Sequence, residues 1–159
     1  MKAKLICIVV LLFFSSLEAS ASDKDISFGL GLGALYGGIG INIGLQREND
    51  FRYIAAGCTE FGYDSVSGWQ AACGVGAGWI WADILSKSNN KHGIGFYIGP
   101  VGYEGSHRDP EIVYGVGVSY DYFFKGINSS GWNVGVTPAI GRHNGDTEGY
   151  LLLQVGYQF

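Results

Sequence analysis

Residues Phe28–Leu45 read FGLGLGALYGGIGINIGL, with glycine at nearly every second position. A dinucleotide-binding glycine loop needs G-x-G-x-x-G between a strand and a helix. Here Gly31 and Gly33 are followed by Gly37, and no helical period follows. A flexible linker would lack the ordered large residues that stand between these glycines. Those residues alternate, with Phe28, Leu30 and Leu32 at even positions and Ile39, Ile41, Ile43 and Leu45 at odd ones. Period two marks a strand with two unlike faces, and the change of parity marks a hairpin. A two-residue tip at Tyr36-Gly37 would pair Ala34 with Ile39, Leu32 with Ile41, Leu30 with Ile43 and Phe28 with Leu45 on one face.

The same period runs to the end of the chain. In IVYGVGVSYDYFF, residues 112–124, the even positions are all large and apolar, while the odd ones are mostly Gly115, Gly117, Ser119 and Asp121. Trp132, Val134, Val136, Pro138 and Ile140 form another such face, opposed by Asn133, Gly135, Thr137, Ala139 and Gly141. Eight strands are expected, near 26–34, 38–46, 51–63, 69–82, 93–103, 112–124, 131–142 and 149–159, with turn-rich segments between them. For the last hairpin, a tip near 145–146 pairs Ile140 with Leu151, Val136 with Val155 and Trp132 with Phe159.

The N-terminus has a different character. Lys2 and Lys4 precede the apolar run Leu5–Phe14, and Ala19-Ser20-Ala21 offers a small-residue cleavage site. This is the secretory signal pattern, and the run is only half of the roughly twenty residues a membrane-spanning helix needs. Residues 1–21 are therefore expected to be a cleaved signal peptide, and 22–159 a single β-barrel domain. Without residues 1–21 the chain keeps eight basic and thirteen acidic side chains, with no basic cluster, so nucleic acid has no electrostatic support as a partner.

The two faces decide where the large residues point. A soluble barrel would bury the large residues and show water a face of Lys, Glu and Thr. Here the second face is mainly glycine, which weakens an exposed strand and adds no solvation. That face suits the crowded interior of a small closed barrel. The large residues, Phe28 to Leu45 among them, would then face lipid. Aromatics near strand ends (Phe51 and Tyr53, Phe61 and Tyr63, Trp79 and Trp81, Tyr120 and Tyr122, Tyr157 and Phe159) would form interfacial girdles. The fold class expected is an all-β, eight-stranded, antiparallel up-and-down transmembrane barrel, with a soluble periplasmic barrel as the competing reading.

A last strand ending in Phe159, with Leu151, Leu153, Val155 and Tyr157 at alternate positions before it, resembles the C-terminal signature of bacterial outer-membrane barrels. Strand number and length resemble the small eight-stranded group: the OmpA-type transmembrane domain, OmpX-like and opacity-like proteins. The resemblance implies a Gram-negative outer membrane and recognition of the last strand by the barrel assembly machinery. It also implies contact with membrane lipid and lipopolysaccharide, periplasmic termini, and outer loops near Tyr36, 64–68, 104–111 and 143–148. Those loops are short, unlike the long ones adhesive members often carry.

Few residues suggest chemistry. Cys58 and Cys73 flank a hairpin tip in an oxidising compartment, which favours a disulfide. Outward Phe61 and Tyr63 would aim Cys58 inward, whereas Cys73 shares parity with outward Trp79; a β-bulge in either strand would reconcile the two. Arg52, Glu60 and Asp121, with Arg142 near the rim, are the expected inward charges, forming a polar network in a filled lumen rather than a pore. Some small outer-membrane barrels are lipid A deacylases with a His–Ser pair. His143 and Glu148 lie in the matching region, but Gly145 stands where the serine belongs. Ser106-His107 has no special spacing, and no metal-ligand pattern appears. No cofactor and no catalytic or metal site is expected; a monomer with a structural or surface-interaction role is.

Overall fold

The computed structural model describes residues 26–64, 68–82, 84, 90–106, 109–143 and 145–159. The proposed signal peptide, residues 1–21, lies outside them, as do parts of the expected outer loops and His107. Eight strands form one closed antiparallel barrel in sequence order: β1 (Ile26–Leu32), β2 (Ile39–Gln46), β3 (Asp50–Asp64), β4 (Gly68–Trp81), β5 (His92–Ser106), β6 (Asp109–Phe123), β7 (Gly131–His143) and β8 (Asp146–Gln158). All eight lie where the sequence period places them. β1 closes on β8 through four pairs, from Gly29↔Gln158 to Leu32↔Val155. The two longest connections, residues 82–91 and 124–130, lie at the end carrying Ile26 and Phe159. At the other end links of two or three residues turn β3–β4, β5–β6 and β7–β8, and a six-residue link joins β1 to β2.

Both registers expected from the sequence are shifted by two residues. Phe28 pairs with Ile43 and Leu30 with Ile41, so the first turn is not a two-residue tip at Tyr36-Gly37. Residues 33–38 form a longer loop containing a 3-10 turn, Ala34–Tyr36, with Gly33, Gly37 and Gly38 at positive φ. This loop folds into the barrel, and Ala34, expected on the outer face, is buried. At the other end Trp132 pairs with Tyr157 and Val136 with Leu153, and the ladder runs to His143↔Asp146. The Asn144-Gly145 dipeptide, a strong hairpin signal, marks that turn in the sequence. A two-residue shift preserves parity, so the facing assignments of these strands survive.

A one-residue bulge in β3 has the larger consequence. Cys58 faces Cys73, but the next pair is Glu60↔Ala72, leaving Thr59 extra. Below the bulge Ile54 and Ala56 point outward, and above it Phe61 and Tyr63 do. Phe51 and Tyr53, expected in an outer girdle, are instead buried in the interior, and Arg52 turns outward.

Two ladders of the barrel end partway along its height. The β4–β5 ladder stops at Ala77↔Ile98 and the β6–β7 ladder at Gly115↔Gly141, while β5 and β6 remain paired to Ser106↔Asp109. Pro100, which has no N–H to donate, and a bulge between Pro100 and Gly102 fall where β5 leaves β4. The freed hairpin leans across the mouth: a methyl on Gly102 of β5 would sit 2.6 Å from Tyr150 Cε1 of β8. Val101 and Val113 of the hairpin itself are buried on its inner side.

Candidate functional site

The interior is filled, and glycines make the room. Tyr36 is 0 % exposed and lies in the lumen over Gly31 and Gly156, so that a methyl on Gly156 would overlap its ring. Tyr53 lies over Gly78, and Tyr97 over Gly76 and Gly99, in the same way. Phe51, Ile80, Phe123 and Ile127 pack into the same buried cluster, with Leu35 beside Tyr36. Tyr36 was expected at an outer loop tip; it is a plug. The small residues of one strand fit the large residue of another, which gives close packing without strain.

Two polar layers tie this plug to the wall. In the first, Gln158 Nε2 donates to Asn42 Oδ1 and to Ser27 Oγ, each at 2.8 Å, and Asn42 Nδ2 donates to the Leu35 carbonyl at 3.0 Å. In the second, Asn133 Nδ2 donates to the Tyr36 hydroxyl at 2.8 Å, Gln154 Oε1 accepts from the Leu35 amide at 3.3 Å, and Gln154 Nε2 donates to Asp121 Oδ1. Thr137 Oγ1 also reaches Gln154 Oε1. Asp121 is fully buried, and its second oxygen, Oδ2, has no hydrogen-bond partner. Most members are neutral amides and hydroxyls, which lose less than charges on leaving water.

The four charges expected in the lumen are thus divided. Asp121 is in the network. Glu60 lies on the inward side of β3 but above the sealed core, where it meets the Tyr103 hydroxyl on the leaning hairpin. Arg52 is a correction: it faces outward, because the bulge at Thr59 reverses the parity read from Phe61 and Tyr63. Arg142 is a second correction: it shares the parity of Trp132–Ile140 and is exposed at the rim. The amides that form the network, Asn42, Asn133, Gln154 and Gln158, all stand on the glycine-bearing face in the sequence. Parity would have found them; charge did not.

Cys58 and Cys73 are joined by a disulfide across the β3–β4 ladder at its outward face. Their closed segment has a separation of 15 residues, and a loop of that size contributes about 3 kcal/mol in the chain-entropy account. The last strand presents Leu151 and Leu153 outward at 67 and 72 % exposure, with Val155 and Phe159 exposed on the same side and Tyr157 half-buried. Phe159 is held by its backbone N–H, which donates to the Phe28 carbonyl at 2.7 Å. His143's side chain is outside the described residues, and Glu148 is exposed, hydrogen-bonded to Tyr150. Among the described residues no group of three His, Cys, Asp or Glu is placed to hold a metal.

The outer wall is apolar around the ring. Phe28, Ile41, Ile54, Phe96, Val116 and Ile140 are all at least two-fifths exposed, and they come from six different strands. At the end bearing Phe159, this band gives way to aromatic rings: Trp79 beside Trp81, His92 against Tyr122, and Trp132 edge-on to Tyr157. Comparison with family models, curated proteins and solved structures gave no match.

Proposed function

We propose that this chain is an integral β-barrel of a Gram-negative outer membrane, monomeric and without catalysis, with a structural or surface-interaction role. The observation that carries the reading is the inversion of polarity across the wall. The neutral polar side chains are inside with glycine and aromatics, and the continuous apolar band is outside. A surrounding of hydrocarbon makes such a band favourable, and a closed barrel pairs backbone groups between neighbouring strands within it. The aromatic rings at one end support an interfacial girdle, and the outward Leu151–Phe159 row supports recognition by the assembly machinery. The plugged lumen favours a structural role over a pore; at the far end three links have two or three residues and the fourth folds inward at Ala34–Tyr36, which leaves little adhesive surface.

The test is flotation with lipid vesicles together with gel mobility before and after heating. An inserted barrel floats, resists extraction by carbonate and urea, and shifts in mobility when boiled. Recovery in an osmotic-shock fraction with no heat shift would replace the proposal with a soluble exported barrel.

A further inference from the structure

Arg52 is a cation on the apolar wall, and the structure holds it in one orientation. Its guanidinium lies 4.1 Å over the Trp79 ring, and Asp50 Oδ2 takes its Nε at 3.0 Å. The same oxygen accepts the Trp79 indole N–H at 2.8 Å, so one carboxylate fixes both planes. The two terminal guanidinium nitrogens and Asp50 Oδ1 take no part in these contacts. Arg52 and Asp50 border a shallow groove with Asn49, Trp79, Trp81 and Ile84, at the end where the aromatic rings gather.

We infer that this groove seats the head group of one zwitterionic phospholipid with a primary ammonium, the phosphoethanolamine class. The proposal rests on the membrane reading above. An arginine facing hydrocarbon is costly, and an arginine at the depth of the head groups is not. Arg52 and Asp50 together carry no net charge, so an anionic head group would leave an excess of negative charge. A head group with its own phosphate and ammonium matches them in alternation: the phosphate on the guanidinium fork, the ammonium on the carboxylate. Guanidinium is suited to two-point recognition of phosphate, and only an ammonium bearing N–H can donate to Asp50. Above the groove, Ile54 and Ala77, a cross-strand pair on the outward face, continue the apolar track that an acyl chain would follow.

The experiment is native mass spectrometry of the full protein released from vesicles holding equal parts phosphatidylethanolamine, phosphatidylcholine and phosphatidylglycerol. Phosphatidylethanolamine should be retained about five-fold over the other two, the upper end of what one exposed ion pair supplies. Arg52→Gln and Asp50→Asn should each return the bound lipid to the bulk ratio, and Trp79→Phe, which keeps both charges, should lower the enrichment. Each variant is checked for the heat shift of the parent, so a folding defect is seen separately. Retention in the bulk ratio by the parent, or unchanged enrichment in properly folded Arg52→Gln, overturns the seat while the membrane reading stands. Failure of the parent to float overturns both.

Discussion

The Tyr36 hydroxyl sits between the two terminal atoms of the Asn133 carboxamide, 2.8 Å from Nδ2 and 3.0 Å from Oδ1, across 97 residues of sequence. This contact fastens the first loop of the barrel to its seventh strand in a place water does not reach. Tyr36→Phe keeps the ring and strands a buried amide, which costs about 1–3 kcal/mol. Tyr36→Ala also removes the plug and should cost about 3–5 kcal/mol. Urea unfolding in detergent micelles, read by tryptophan fluorescence, orders the two; equal midpoints for parent and Tyr36→Phe would remove the hydrogen bond from the account.

Gly156 is the complement of that ring. A methyl there meets Tyr36 Cζ and its hydroxyl, so Gly156→Ala should destabilise by about 1–3 kcal/mol through overpacking. In the Tyr36→Ala background the same change meets empty space and should cost far less. A double-mutant cycle should give a coupling of about 0.5–3 kcal/mol. Additive effects would mean that the ring does not rest on Gly156.

The disulfide stands apart from this core, on the outward face of β3 and β4. Reducing it, or substituting Cys58 and Cys73 together by serine, should lower stability by about 3 kcal/mol. The heat shift on gels should remain, since the ladder below Cys58 does not depend on the bond. Thiol titration of the unfolded protein, with and without reductant, establishes whether the bond is present in the isolated material.

Asp121 should be replaceable. It is a buried carboxylate with one oxygen bonded by Gln154 and the other unpartnered, the arrangement in which a charge is costly. Asp121→Asn keeps the acceptor for Gln154 and lowers the desolvation cost, so the unfolding midpoint near neutral pH should hold or rise. A fall of more than about 1 kcal/mol would show that the carboxylate answers a need the amide does not meet.

Strand number, order and most facing were legible because alternation survives any even shift of register. The details lost are those alternation does not encode. One extra residue, Thr59, reverses the parity of half of β3, which moved Arg52, Phe51 and Tyr53 to the wrong sides together. Even so, the conflict between Cys58 and Cys73 pointed to a bulge in one of these two strands. The inward fold of Tyr36 was hidden for another reason: a six-residue loop with three glycines reads as a tip unless the lumen's need for a large side chain is known. The lean of the β5–β6 hairpin depends on where neighbouring ladders end, and no local pattern records that.

The four-pair seam between β1 and β8 joins strands far apart in the chain; Ser27 Oγ donates to the Phe159 carbonyl across 132 residues. Tyr36 touches both sides of this seam, Gly31 on one strand and Gly156 on the other, while its hydroxyl is anchored on β7. The plug therefore clamps a short ladder of the barrel from inside, and loss of its aromatic ring would loosen the closure of the wall as well as empty the lumen.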